Sequence, residues 1–203
     1  MYRIFIALLF INFCYSQSYY VYVAAESDDT VSVLKFDGDN FEETDKVTVG
    51  IMPTENEGPH GITIDPSGKY WYLTLAHGSP NGSLVKYSTE NNEPLSKVEL
   101  GLFPATMQIS PKTGLLYAAN FNLHGLMRTS TVSVVDPENM VEITKIKTGI
   151  MPHGSRISID GTTHYSVAMM SGELFEIDAL DLSVKRILSL DNNYKSILEE
   201  QNE

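Results

Sequence analysis

Cysteine is nearly missing from this chain: Cys14 is the only one among 203 residues. It falls in the leader described below, so no disulfide, thiolate metal ligand or covalent c-type haem attachment belongs to the mature fold. Positive charge is scarce as well. Fourteen Lys and Arg stand against 26 Asp and Glu, a formal net charge of −12. A surface of that sign repels phosphate backbones, which excludes nucleic acid as a partner. Long apolar runs are limited to one. Ile4 to Phe13 is almost continuously apolar, follows Arg3 and precedes Cys14-Tyr15-Ser16. It is too short to span a bilayer and reads as a secretory signal over residues 1–16. A lipid anchor on Cys14 is the rival reading, disfavoured by bulky Phe13 where a small residue is wanted. The expected location is extracytoplasmic (periplasmic, cell-surface or secreted), with no integral membrane segment after signal cleavage. Also lacking are a Gly-x-Ser-x-Gly elbow, a metalloprotease helix motif, a P-loop and a dinucleotide fingerprint.

What is present is a repeat. "YVAA" at 22, "YLTL" at 72, "YAAN" at 117 and "YSVA" at 165 recur at spacings of 45 to 50 residues. Each is followed by an apolar-polar run such as "TVSVLKFD" from 30 or "TVSVVD" from 131, and then by "KVTVG", "KVELG" or "KIKTG". A proline then opens the next unit: Pro53 or Pro59, Pro104 and Pro152. Strict alternation argues for half-buried strands, and "DPSG" at 65–68 for a turn between two of them. Helical periodicity is confined to the tail, "YKSILEEQ" from 194. Four strands in 45 to 50 residues make one propeller blade.

The expected fold is therefore all-β, a β-propeller of four-stranded antiparallel blades with about four blades present. A partial blade covers about 19–50, and full ones cover 51–101, 102–149 and 150–190. Residues 191–203 form a tail or the start of a missing blade. The tyrosine-led segments and the recurring "SPxxG" element resemble the YVTN-type β-propeller repeat family over roughly Tyr19 to Leu190. That resemblance implies a secreted or surface propeller and leaves its role open. The first unit lacks an inner strand, so the ring is incomplete as read. It closes through further sequence, as a small four-bladed ring, or with a second copy.

Strand order places four histidines on one axial face. His60 and His153 sit in repeated Pro-His-Gly segments just before inner strands, and His77 and His124 follow second strands. His164 opens a second strand and belongs toward the opposite face. Imidazoles from neighbouring blades are candidate metal ligands. With Met52, Met127 and Met151 nearby, copper suits the set. Arg128 and Arg156, with Met151, are candidate ligand-binding residues, the arginines for a carboxylate or a haem propionate. Copper or haem is thus the cofactor expectation, on an architecture like that of nitrous oxide or d1-haem nitrite reductases. The plainer reading makes Pro-His-Gly a repeated blade entry and the methionines channel plugs. On that reading the chain is a binding or scaffold module for a protein, a surface polymer or a small molecule. Sugar-lactone hydrolysis is a third reading. Asp28-Asp29 and Glu42-Glu43 read as solvated turns.

Overall fold

The alternating runs become short antiparallel strands, joined by turns that proline, glycine and aspartate specify. The structure, a computed structural model, describes residues 18–50, 56–77 and 80–190. The leader with Cys14, Met52 and Pro53, and the tail from 191 lie outside the described residues.

Fifteen strands form four sheets. The first sheet holds β1 (Tyr19–Ala25), β2 (Thr30–Phe36) and β3 (Phe41–Thr48). The second holds β4 (Pro59–Ile64), β5 (Tyr70–Leu75), β6 (Ser83–Ser88) and β7 (Pro94–Glu99). The third holds β8 (Pro104–Ile109), β9 (Leu116–Asn120), β10 (Thr129–Asp136) and β11 (Val141–Ile150). The fourth holds β12 (Pro152–Ile157), β13 (Thr163–Ala168), β14 (Glu173–Asp178) and β15 (Ser183–Ser189). Every pairing is antiparallel between strands consecutive in sequence, so each sheet is a meander. The inner strands β4, β8 and β12 lie side by side, and their far ends line a cleft of about 270 Å³ that includes Thr63, Gln108 and Ile157. This is an arc of propeller blades in which, among the described residues, the first blade has no inner strand. Among those residues, too, no helix is long and apolar enough to cross a membrane.

Each blade enters by the same device. The residue before the opening proline has positive φ: Gly58 (59°), Phe103 (54°) and Met151 (54°). Its carbonyl accepts the N–H of the residue just after the second strand, giving Ala76 to Gly58 (2.8 Å), Phe121 to Phe103 (2.8 Å) and Met169 to Met151 (3.1 Å). Register then slips between Pro59 and Ile62, Pro104 and Met107, and Pro152 and Gly154. A slip of this kind is a bulge, and a bulge re-aims the side chains it carries. Pro-His-Gly is thus a bulged blade entry, and Ala105 takes the histidine's place in the third sheet. The position matching Met151 in the second sheet is Gly58, not Met52. Pro59, not Pro53, opens that blade.

The cores lie between blades. Trp71, Leu73, Leu75 and Tyr87 of the second sheet pack on Val31 of the first, and Trp71 stacks on Tyr87 at 4.0 Å. Tyr72 and Leu84 meet Met107, Leu116 and Val135 of the third sheet. Tyr117, Val132 and Val134 meet Phe175 and Ile177 of the fourth. Tyrosine at the second-strand position also reaches the next blade's outer turn. The Tyr72 hydroxyl donates to the Pro137 carbonyl (3.4 Å) and that of Tyr117 to the Ala179 carbonyl (3.0 Å). Asp29 departs from the solvated turn expected of it. Its carboxylate accepts the N–H groups of Glu57 (3.1 Å) and Gly58 (2.8 Å), tying the first blade to the entry of the second.

Candidate functional site

The bulge puts His60 and His153 at the mouth of the inner strands, and the loops after β5 and β9 carry His77 and His124 to the same place. All four imidazoles gather around two phenylalanines. Phe103 lies edge-on to His60 (5.5 Å between ring centres), His77 (4.9 Å) and His124 (5.8 Å). Phe121 packs on Phe103 (5.6 Å) and on His153 (4.8 Å). The imidazoles also form two pairs, His60 with His153 at 5.3 Å and His77 with His124 at 5.6 Å.

Local chemistry fixes each of them. Gly58 lets His77 lie flat on the backbone, because a Cβ there would stand 1.9 Å from its Cδ2. His77 Nε2 meets Glu26 Oε1 at 2.9 Å, a contact that reaches across from the first blade. The His124 loop is knitted by Asn122, which has φ of 60°, accepts the Gly125 N–H at 3.0 Å and donates to the Leu126 carbonyl at 2.9 Å. The His153 carbonyl accepts the Thr106 hydroxyl from the neighbouring inner strand. Phe103 and Met151 are held at positive φ, which is strained for a side-chain-bearing residue. Both are buried in one cluster with Ala76, Ala105 and Phe121.

Burial lowers the His60 pKa below the ordinary histidine value. The Glu26 carboxylate opposes this, while His153 and His77 add to it. His60 is therefore neutral at pH 7, and its Nδ1 is buried with no hydrogen-bond partner among the described residues. The remaining candidates differ in burial. Met151 sits beneath them in the core, 8% exposed, whereas Met127 is 63% exposed. Arg128 and Arg156 are exposed, and the Arg156 guanidinium donates to the Ser155 carbonyl at 2.7 Å. Neither arginine has an ion-pair or ring contact with the histidines among the described residues. Nor do three His, Cys, Asp or Glu side chains there converge as a metal-holding group. Phe103 is wedged against three of the imidazoles.

Glu26 and Phe103 were absent from the sequence-derived candidates. One signal for Glu26 was available: it follows the first unit's second strand, as His77 and His124 follow theirs. Phe103 could have been found as the residue before a blade-opening proline.

The comparisons with known proteins agree with this architecture. The family model described as "Lactonase, 7-bladed beta-propeller" matches residues 11–145. Among solved structures, the chain is similar to hydrazine synthase of Kuenenia stuttgartiensis. The TM-score is 0.63 at 20% identity, over 80% of this chain and 46% of that one. It is also similar to a Bacteroides uniformis protein provisionally named a 6-phosphogluconolactonase, with a TM-score of 0.65 at 20% identity over 85% and 52% of the two chains. A functionally unknown protein from Desulfotomaculum acetoxidans gives a TM-score of 0.64 at 11% identity over 91% and 59%. The chain thus spans about half the length of the structures it matches. Among curated proteins none matches.

Proposed function

We propose a function from one premise: this chain belongs to the lactonase, seven-bladed β-propeller family. On that footing it is an exported binding module, and its axial face takes a small organic ligand against Phe103 and the surrounding imidazoles. Export rests on the apolar leader, and the tyrosine-led strands keep the YVTN-type repeat as our finer reading of the family. The observation that carries the binding role is the edge-on packing of three imidazoles round Phe103. Such a wall offers an apolar floor edged by imidazoles that can donate or accept, the usual composition of a small-molecule site.

The experiment is a proton NMR titration of the imidazole resonances with glucono-1,5-lactone. Binding on this face moves the signals of His60, His77, His124 and His153 and leaves buried His164 still. Replacing His60 and His153 together by alanine weakens that response at least tenfold. A titration that moves none of the four, or that survives the double replacement unchanged, overturns the proposal.

A second reading is favoured by the contact between Glu26 and His77. A carboxylate that orients an imidazole makes a general base. His77 would take a proton from water as the oxygen attacks a lactone carbonyl. The ring C–O bond then breaks and the proton passes to the leaving alkoxide, giving a hydroxy acid. Under this reading Glu26→Gln lowers lactone hydrolysis more than tenfold with binding intact. Equal hydrolysis by the two proteins removes it.

A further inference from the structure

The junctions between blades follow one plan, and the junction between the third and fourth sheets departs from it twice. Thr30, Ser83, Thr131 and Glu173 hold one register position, each paired with the last residue of the strand before it. The first three sheets thus have a hydroxyl where the fourth has a carboxylate. Their partners on the next strand are Thr48, Glu99 and Lys147, and the residues that follow those partners are Val49, Leu100 and Thr148, all buried. Here the third sheet has a hydroxyl where the first two are apolar.

Both departures meet. Glu173 lies on the side of β14 that carries Phe175 and Ile177 into the core shared with the third sheet. A Cβ added to Gly149, the neighbour of Thr148, would stand 2.5 Å from Glu173 Oε2 and 2.1 Å from Ser171 Oγ. Described residues enclose this place from both blades, and Thr148, Ser171 and Glu173 are each 1% exposed.

The preceding junction shows how such a place is normally satisfied. A Cβ on Gly101 would stand 2.5 Å from Cγ of Asn120. The Asn120 amide is fully used there: Oδ1 accepts the Gly101 N–H at 3.0 Å, and Nδ2 donates to the hydroxyls of Thr131 (2.9 Å) and Ser133 (2.8 Å). In the later junction Ser171 Oγ accepts the Ile150 N–H at 3.0 Å. Both oxygens of Glu173 and the hydroxyl of Thr148 are buried with no hydrogen-bond partner among the described residues. Among those residues, too, Glu173 belongs to no ion pair.

A carboxylate enclosed without donors is among the costliest groups a core can hold, and a buried charge is tolerated when an opposite charge accompanies it. The atoms gathered here are all oxygens, which suit a hard cation and offer nothing to a soft one. One carboxylate balances one positive charge. We propose that a sodium ion binds between the third and fourth sheets, held by the Glu173 carboxylate with the hydroxyls of Thr148 and Ser171 as further ligands. The ion ties β11 to β14 just before the chain turns through Met151 into the fourth blade, so it braces that entry.

Urea unfolding of the full chain in sodium chloride and in choline chloride tests this, choline being too large to enter. The two salts are matched at about 0.15 M ionic strength, at a pH of about 8, above the ordinary glutamate range. Sodium is expected to lower the unfolding constant about tenfold, as binding with a dissociation constant near one-tenth of its concentration gives. Glu173→Gln abolishes that difference, and in choline it is more stable than the wild type because it buries no unpaired charge. Thr148→Val, which gives the third sheet the side chain that the first has at Val49, reduces the factor to about three, the loss of one ligand of hydrogen-bond strength. Glu138→Gln, at an exposed carboxylate, keeps the full factor. Wild-type unfolding that is the same in the two salts, a sodium effect that survives in Glu173→Gln, or stabilisation by millimolar calcium chloride without any by sodium overturns the proposal.

Discussion

Two groups of imidazoles in one small chain live under opposite rules. His60, His77, His124 and His153 line a mouth where rings meet edge to edge and solvent reaches them. His164, in β13, is fully buried, with Nε2 2.8 Å from the Ser155 hydroxyl and its ring stacked on Tyr117 at 4.9 Å. Burial alone pushes its pKa down to about 3. The neutral ring and the Ser155 hydroxyl share one hydrogen bond, and both residues are fully buried. A serine and a histidine in hydrogen-bond contact are here part of a core, whereas the histidines that solvent reaches form the candidate site. Contact geometry by itself does not mark function; access to solvent does.

The sharpest way to break the contrast is to remove the buried ring. His164→Ala leaves a cavity between the third and fourth sheets and strands the Ser155 hydroxyl. It should cost about 3 kcal/mol of stability in a urea titration. The axial NMR response to a lactone should stay as in the wild type, and a comparable loss of that response would show that the two groups are coupled.

Acid probes the same difference more gently. The folded protein keeps His164 unprotonated, while the unfolded chain takes up a proton below about pH 6.5. This contribution is therefore complete above pH 6.5 and is lost as pH falls toward 3, at about 1.4 kcal/mol per pH unit. His60, also lowered by burial, adds in the same direction. Urea midpoints measured at pH 7.0, 6.0 and 5.0 should fall stepwise, and His164→Phe should flatten most of that slope. A slope that persists in His164→Phe would move the effect to other groups.

The smallest change is aimed at the mouth. Gly58→Ala combines positive φ with a Cβ that His77 must vacate, so it should cost about 1 to 2 kcal/mol. It should also shift the His77 resonance and leave that of His164 in place. Unperturbed His77 would mean that Gly58 is replaceable there.

Much of this was legible beforehand, for reasons that can be named. Propeller blades repeat, so tyrosines, turn aspartates and blade-opening prolines recur in phase, and strand parity then assigns loops to one face or the other. That is why four histidines could be assigned to the axial face from spacing alone. Glu26 stayed hidden because its partner, His77, lies 51 residues away in another blade. Phe103 stayed hidden because it looks like any core aromatic until its positive φ brings it among the imidazoles. The hydrogen bond from Ala76 to Gly58 gives glycine the place in the second sheet that Met151 holds in the fourth. The arginines were chosen for charge, and both side chains are exposed.

Period and alternation, which are properties of the one-dimensional chain, determined that this protein is a succession of antiparallel sheets with four of its five histidines at one end. They suffice because a strand's two faces and a blade's order follow from local geometry. Which imidazole is buried, which glycine yields to a ring, and which carboxylate meets His77 were decided only when the blades packed. Those contacts join residues on different segments, up to 51 positions apart, and no local preference of the backbone encodes them.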